Sequence, residues 1–198
     1  MSKTVIILNG PPFIGKDTIA DIFVAKHSAT KQEFKSSLYE KTSEYFETDL
    51  KYLKYIATSR KYKDTLVSAF SCSNSSKGFG YTPREALIYV SEVVYKPKYG
   101  SDYFGKLASD KLIDGLNVFS DGGGWWDELV PVVEAADRII VFKLVRTDFN
   151  FDNDSRDYYD ESTMPKDLEN LLQLETLVLI EGRPELAVEN INVLLATD

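Results

Sequence analysis

The chain has 198 residues, 43% of them hydrophobic, and carries 23 Lys+Arg against 31 Asp+Glu for a net charge of −8. These values predict one globular domain and argue against a nonspecific nucleic-acid binder, which needs basic groups to displace counterions from phosphates. A lone cysteine, Cys72, leaves no disulfide framework and no Cys/His zinc spacing, and the longest early apolar run, Val5 to Leu8, is too short for a signal-peptide core or a membrane span, so a cytoplasmic chain without membrane association is expected.

Thr4 to Leu8 is a β-branched apolar run closed by Asn9-Gly10-Pro11-Pro12, and Asp17 to His27 then repeats Ile19, Ile22, Phe23 and Lys26 at helical spacing. The pattern predicts strand, glycine loop, helix. Phe34 closes a short second strand, and two helices follow between Ser36 and Phe70. Ser71 to Gly78, small and polar, reads as a flexible loop. Thr82-Pro83-Arg84-Glu85 combines a capping residue, a first-turn proline and a glutamate three residues after the cap, so a helix starts there and runs to about Tyr95-Lys96-Pro97. Another spans Ser101 to Ile113, before a strand at Val118-Phe119 that ends at Ser120-Asp121-Gly122-Gly123-Gly124. A helix from Trp125 to Ala136, a strand from Arg138 to Arg146, a strand from Thr176 to Ile180 and a helix from Pro184 to Leu195 complete the order. Uniformly apolar strands alternating with helices predict a parallel sheet covered on both faces. Between Thr147 and Glu175 nine acidic residues face only Arg156 and Lys166, a surface excursion that reads either as a solvated loop or as a functional lid.

The strongest chemical signal is Gly10-Pro11-Pro12-Phe13-Ile14-Gly15-Lys16, a G-x-x-x-x-G-K pattern between a predicted strand and helix. Such glycines let backbone N–H groups turn around a phosphate, the helix start adds its positive dipole end, and Lys16 can reach the outer phosphate oxygens. Asp17 stands where Ser or Thr commonly follows the lysine, and Thr18 brings the hydroxyl one position later. Asp17 can hold Mg²⁺ directly or through water, or orient an acceptor; Thr18 is a phosphate or metal contact. Asp121, at a strand's carboxyl end, is the second candidate metal ligand. Lys35, Arg84, Arg146 and Arg156 form the candidate phosphate clamp, and Arg183 a candidate cation–π contact to a nucleobase. His27, the only histidine, takes no role, and nucleophile–histidine schemes find no support.

Taken together, GPPFIGKDTIADIF resembles the opening of P-loop nucleoside monophosphate kinases, and among them the phage-type deoxynucleoside monophosphate kinases. Thr82 to Leu87 is similar to that family's arginine-bearing helix start, Val118 to Asp121 to its Ser/Pro-Asp strand end, Ile139 to Arg146 to the strand that opens the lid, and Leu177 to Gly182 to the last strand with its glycine loop. The resemblance implies a three-layer P-loop fold with a five-stranded parallel sheet, a helical acceptor-binding insert at about 36–80 and a lid at about 147–165. It implies ATP and Mg²⁺ as cofactors, with Gly10, Gly15, Lys16 and Thr18 at the ATP phosphates and Arg84 and Arg146 at the acceptor or transferred phosphate; beside these, the residues themselves add Ile14, Asp17 and Arg183 as expected ATP contacts. Lys16, Asp17, Arg84, Arg146 and Arg156 would serve transfer, Lys35, Arg84 and Asp121 the acceptor, and Asp17, Thr18 and Asp121 the metal. The expected partner is a small-molecule nucleotide, with no nucleic acid and no membrane, and a homodimer stays open. Kinases of dephospho-coenzyme A or phosphomevalonate-like acceptors, and a nucleotide-binding protein that no longer catalyses, are the alternatives; the arginine-poor lid motivates the last.

Overall fold

A computed structural model describes residues 2–59, 61–70, 80–152, 154 and 156–196. In chain order these form β1 (Lys3–Asn9), α1 (Lys16–His27), β2 (Thr30–Gln32), α2 (Lys35–Tyr45), α3 (Leu50–Thr58), α4 (Pro83–Tyr89), α5 (Lys96–Tyr99), α6 (Tyr103–Ser109), β3 (Gly115–Gly122), α7 (Trp126–Ala135), β4 (Arg138–Val145), β5 (Gln173–Val178) and α8 (Pro184–Leu195). The polar loop expected at Ser71 to Gly78, with Cys72, lies outside the described residues. Two compact units emerge, one of Met1–Phe34 with Gly105–Asp198, the other of Lys35–Phe104.

The first unit is built on a five-stranded sheet in the order β2-β3-β1-β4-β5, parallel at every pairing. Strand β1 lies at its centre, and Val5 to Leu8 are completely buried, as a central strand covered on both faces requires. Its alternation sorts the core. Ile6 and Leu8 meet Phe23 of α1 and Ile191 of α8 on one face, whereas Val5 and Ile7 meet Leu129 and Val132 of α7 on the other. The second unit closes on Tyr39, Leu53, Ile56, Phe70 and Ala86, drawn from α2, α3, α4 and the 3₁₀ turn Ser68–Phe70.

Element ends depart from the sequence expectation where tertiary pairing sets them. Strand β3 is longer than the apolar pair Val118-Phe119, because its register with β1 runs from Lys3↔Gly115 to Asn9↔Gly122. Asp121 is thus inside the strand. Phe34 lies beyond β2, and β5 begins and ends earlier than Thr176 to Ile180 because β4 pairs with it from Ile140↔Gln173 to Val145↔Val178. The helix expected up to Ile113 stops at Ser109: the Asn117 side chain accepts from the Ile113 N–H at 3.1 Å and donates to the Ile113 carbonyl at 2.8 Å, holding that segment in a turn. Thr82 and Glu85 form the expected capping box of α4, and the helix then widens into a π turn over Val90–Tyr95 before α5. Among the described residues no helix is long and apolar enough to cross a membrane.

Candidate functional site

Strands β1 and β3 are neighbours, yet the helices that follow them, α1 and α7, cover opposite faces of the sheet. At such a switch point the connecting loops separate and leave a crevice at the carboxyl ends of the strands, where open parallel sheets place their ligands. The glycine loop occupies this end of β1. Gly10 lies against β4, where an added Cβ would come within 3.1 Å of the Leu144 Cβ and carbonyl oxygen. Gly15 sits at φ +117° with open space around it and starts α1 without a side-chain cap, so no side chain satisfies the helix's first N–H groups at that position. Lys16 is buried, and its ammonium donates to the Gly10 carbonyl and, at 2.7 Å, to the Pro11 carbonyl. The lysine is therefore held inside the loop it follows.

Asp17 joins a network not visible in the sequence. Its Oδ1 accepts from Ser120 Oγ at 2.8 Å and lies 3.0 Å from Lys31 Nζ, which also reaches Asp21 at 2.9 Å. Burial pushes the Asp17 carboxyl up, but hydrogen bonds from Lys31 and Ser120, with the positive charges of Lys31 and Lys16, outweigh it and hold the group below its ordinary value. Lys31 moves the other way: burial lowers it, and bonding to Asp21 and Asp17 raises it above its ordinary value.

Asp121 follows Ser120 in β3, and the alternation of a strand turns it to the opposite face, where its Oδ1 accepts from the Phe34 N–H at 2.9 Å. The residue beside Asp17 is Ser120. Among the described residues no three His, Cys, Asp or Glu side chains gather as a metal site. The donor set near the loop is Asp17 with Thr18, which suits a hard cation that brings further oxygen ligands with its substrate rather than one caged by protein.

A cavity of about 300 Å³ opens beside the loop. It is lined by Phe13, Ile14, Gly15, Thr18 and Ile19 from the loop and the start of α1, by Leu179, Ile180, Gly182, Arg183 and Pro184 from the connection between β5 and α8, and by Arg146 just after β4. The Arg146 guanidinium stacks on Phe149 at 3.8 Å from the ring centroid, which pre-orients it. Of the residues singled out from the sequence, Ile14, Gly15, Thr18, Arg146 and Arg183 thus come together. Arg156 is held elsewhere, forked onto Asp154 through two 2.8 Å bonds in a pair that is mostly shielded from solvent. Lys35 opens α2 and Arg84 lies in α4, both in the second unit; Arg84 Nε is 3.2 Å from Asp64.

Part of the segment expected as a lid is sewn to the sheet. Asn9, fully buried at the end of β1, donates to the carbonyls of Gly122 (3.1 Å) and Asp157 (2.9 Å) and accepts from the Tyr159 N–H (3.0 Å). Tyr159 is buried against Trp126, with its phenol pushed well above its ordinary value by that burial, and Tyr158 Oη donates to the Leu144 carbonyl at 2.8 Å. The run Gly122-Gly123-Gly124 makes room for this seam. A Cβ on Gly124, which sits at φ +83°, would fall 2.3 Å from the Asp157 carbonyl oxygen, and one on Gly123 would strike the Trp125 ring. Gly124 is the one that the close approach of the Asp157 backbone requires.

No protein-family model matches the sequence, and no curated protein matches it.

Proposed function

We propose that the chain is a P-loop phosphotransferase that moves the γ-phosphoryl group of ATP to a (deoxy)nucleoside monophosphate. One observation carries this reading: a lysine buried under a glycine loop, between the central parallel strand and its helix, beside a cavity bordered by two arginines. The loop would take the ATP phosphates, and the cavity the nucleoside, with Arg146 and Arg183 offering guanidinium planes to the base. Lys35 and Arg84 are the proposed acceptor-phosphate residues. A magnesium ion carried on the ATP phosphates would supply charge neutralisation, with Thr18 and Asp17 as the residues to hold it.

In the transfer, an oxygen of the acceptor phosphate attacks the γ-phosphorus, the bond to the β-phosphate oxygen breaks, and ADP leaves. The second pKa of a phosphate monoester is near about 6, so the acceptor is mostly a dianion at neutral pH and needs no general base. A chain with one histidine, remote from the loop, suits that demand. Lys16 would turn from the Gly10 and Pro11 carbonyls to the phosphates and stabilise charge in the transition state.

The test is ADP formation from ATP and Mg²⁺ with each of the four dNMPs, the matching NMPs and no acceptor. Acceptor-dependent turnover is expected, with a loss of about 10²-fold or more in Lys16→Ala. Turnover that Lys16→Ala leaves intact would remove the phosphate-site assignment. A second reading, a nucleotide-binding protein without catalysis, is favoured by the engagement of Arg156 with Asp154; tight nucleotide binding with no product from any acceptor would select it.

A further inference from the structure

Phe13 stands at φ +64°, in the left-handed region that glycine enters freely and a bulky side chain does not. The residue is 66% exposed. Glycine would follow the same turn with less strain, so a phenylalanine here is held against its backbone preference. The residue lines the cavity together with Gly15, Thr18, Ile180, Pro184 and Arg146. Arg146 already rests on Phe149, so the cavity combines a fixed cationic plane with an accessible aromatic one. Strained residues held at ligand clamps are a recognised use of backbone energy.

Resting on the nucleotide reading above, we infer that Phe13 is a binding residue for the nucleoside part of the donor, its ring forming an apolar wall against the sugar and base of a nucleotide whose phosphates lie in the glycine loop. Every base presents a π-face, so this wall adds affinity for a nucleoside without choosing among bases. The contact separates the two halves of the ligand: the loop's backbone and Lys16 serve the phosphates, and Phe13 serves what is attached to them.

Calorimetric titration of the wild-type chain, Phe13→Gly and Phe13→Tyr with Mg·ATP and with magnesium tripolyphosphate tests this directly. Phe13→Gly is expected to weaken ATP binding about tenfold while tripolyphosphate affinity stays within about twofold, and Phe13→Tyr is expected to bind both like the wild type. Circular dichroism confirms that each variant is folded before titration. Undiminished ATP affinity in Phe13→Gly would overturn the inference, as would an equal loss for both ligands, which would mean that the ring acts by shaping the loop. In either case ATP binding by the wild type that Lys16→Ala weakens would leave the nucleotide reading standing. A wild-type chain that binds neither ligand would overturn both.

Discussion

Asp17 and Lys31 form an ion pair whose members titrate away from each other, and this fixes how the contact between α1 and β2 depends on pH. The Asp17 carboxyl is held below its ordinary 3.8, so its contribution to stability is present above that value and is lost as the pH falls through the depressed native value. Lys31 is held above its ordinary 10.5, so its contribution is present below that value and is lost as the pH rises through the raised one. The Asp17 side chain is 73% exposed, and solvent screening limits the pair to about 1 kcal/mol or less. Thermal unfolding of wild type and Asp17→Asn across pH is expected to show a small, steady deficit in the variant through neutral pH, closing in acid below 3.8 as the wild-type carboxyl takes up its proton. A deficit that widens in acid would contradict the assignment. Ser120 shares this carboxylate, so the same residue that anchors the first turn of α1 also fastens it to β3.

Individual elements differ in how far their residues announce them. The capping box of α4 is local: Thr82 accepts from the Glu85 N–H at 3.1 Å, and Glu85 accepts from the Thr82 N–H at 3.0 Å, both within four residues of chain. Thr82→Ala is expected to cost about 1 kcal/mol in equilibrium urea unfolding, and Thr82→Ser much less. Local signals of this kind made β1, the glycine loop, α1, α4 and α8 legible in the sequence. Strand β3 was legible only in its apolar middle. Its polar end, Ser120-Asp121, stays extended because Asp17 and the Phe34 N–H lie ready to meet those side chains, and both partners are distant in sequence. The candidate site divides the same way. Gly15, Lys16 and Thr18 follow from a short pattern, whereas Phe13 became a candidate only once its φ and exposure were known, and Lys31 and Asn9 only once their partners were.

At the scale of the whole molecule, the chain's negative charge is concentrated between Thr147 and Glu175, and the structure divides that stretch rather than leaving it a uniform excursion. Residues 157–159 are fastened through Asn9, the Asp157 N–H to the Gly123 carbonyl at 3.2 Å, and Tyr158 Oη to the Leu144 carbonyl. Residues 157–159 are thereby excluded from any closing movement, whereas Arg156 and its partner Asp154 precede the seam. Asn9 is the common member: one buried amide serves two carbonyls and one N–H. Asn9→Leu would leave those groups unpaired beside the core, for an expected loss of about 3 kcal/mol in unfolding free energy.

The Asn9 seam also sets a boundary in time. Backbone amides that open only when the core opens exchange with deuterated water slowly, and those of unfastened loops exchange quickly. The N–H groups of Asp157 and Tyr159 therefore belong kinetically to the sheet, although they lie in the middle of a long acidic connection. Deuterium uptake along this connection is expected to fall abruptly just after Arg156, and the step is expected to vanish in Asn9→Leu. The slow side of that step reports on the same opening that exposes β1.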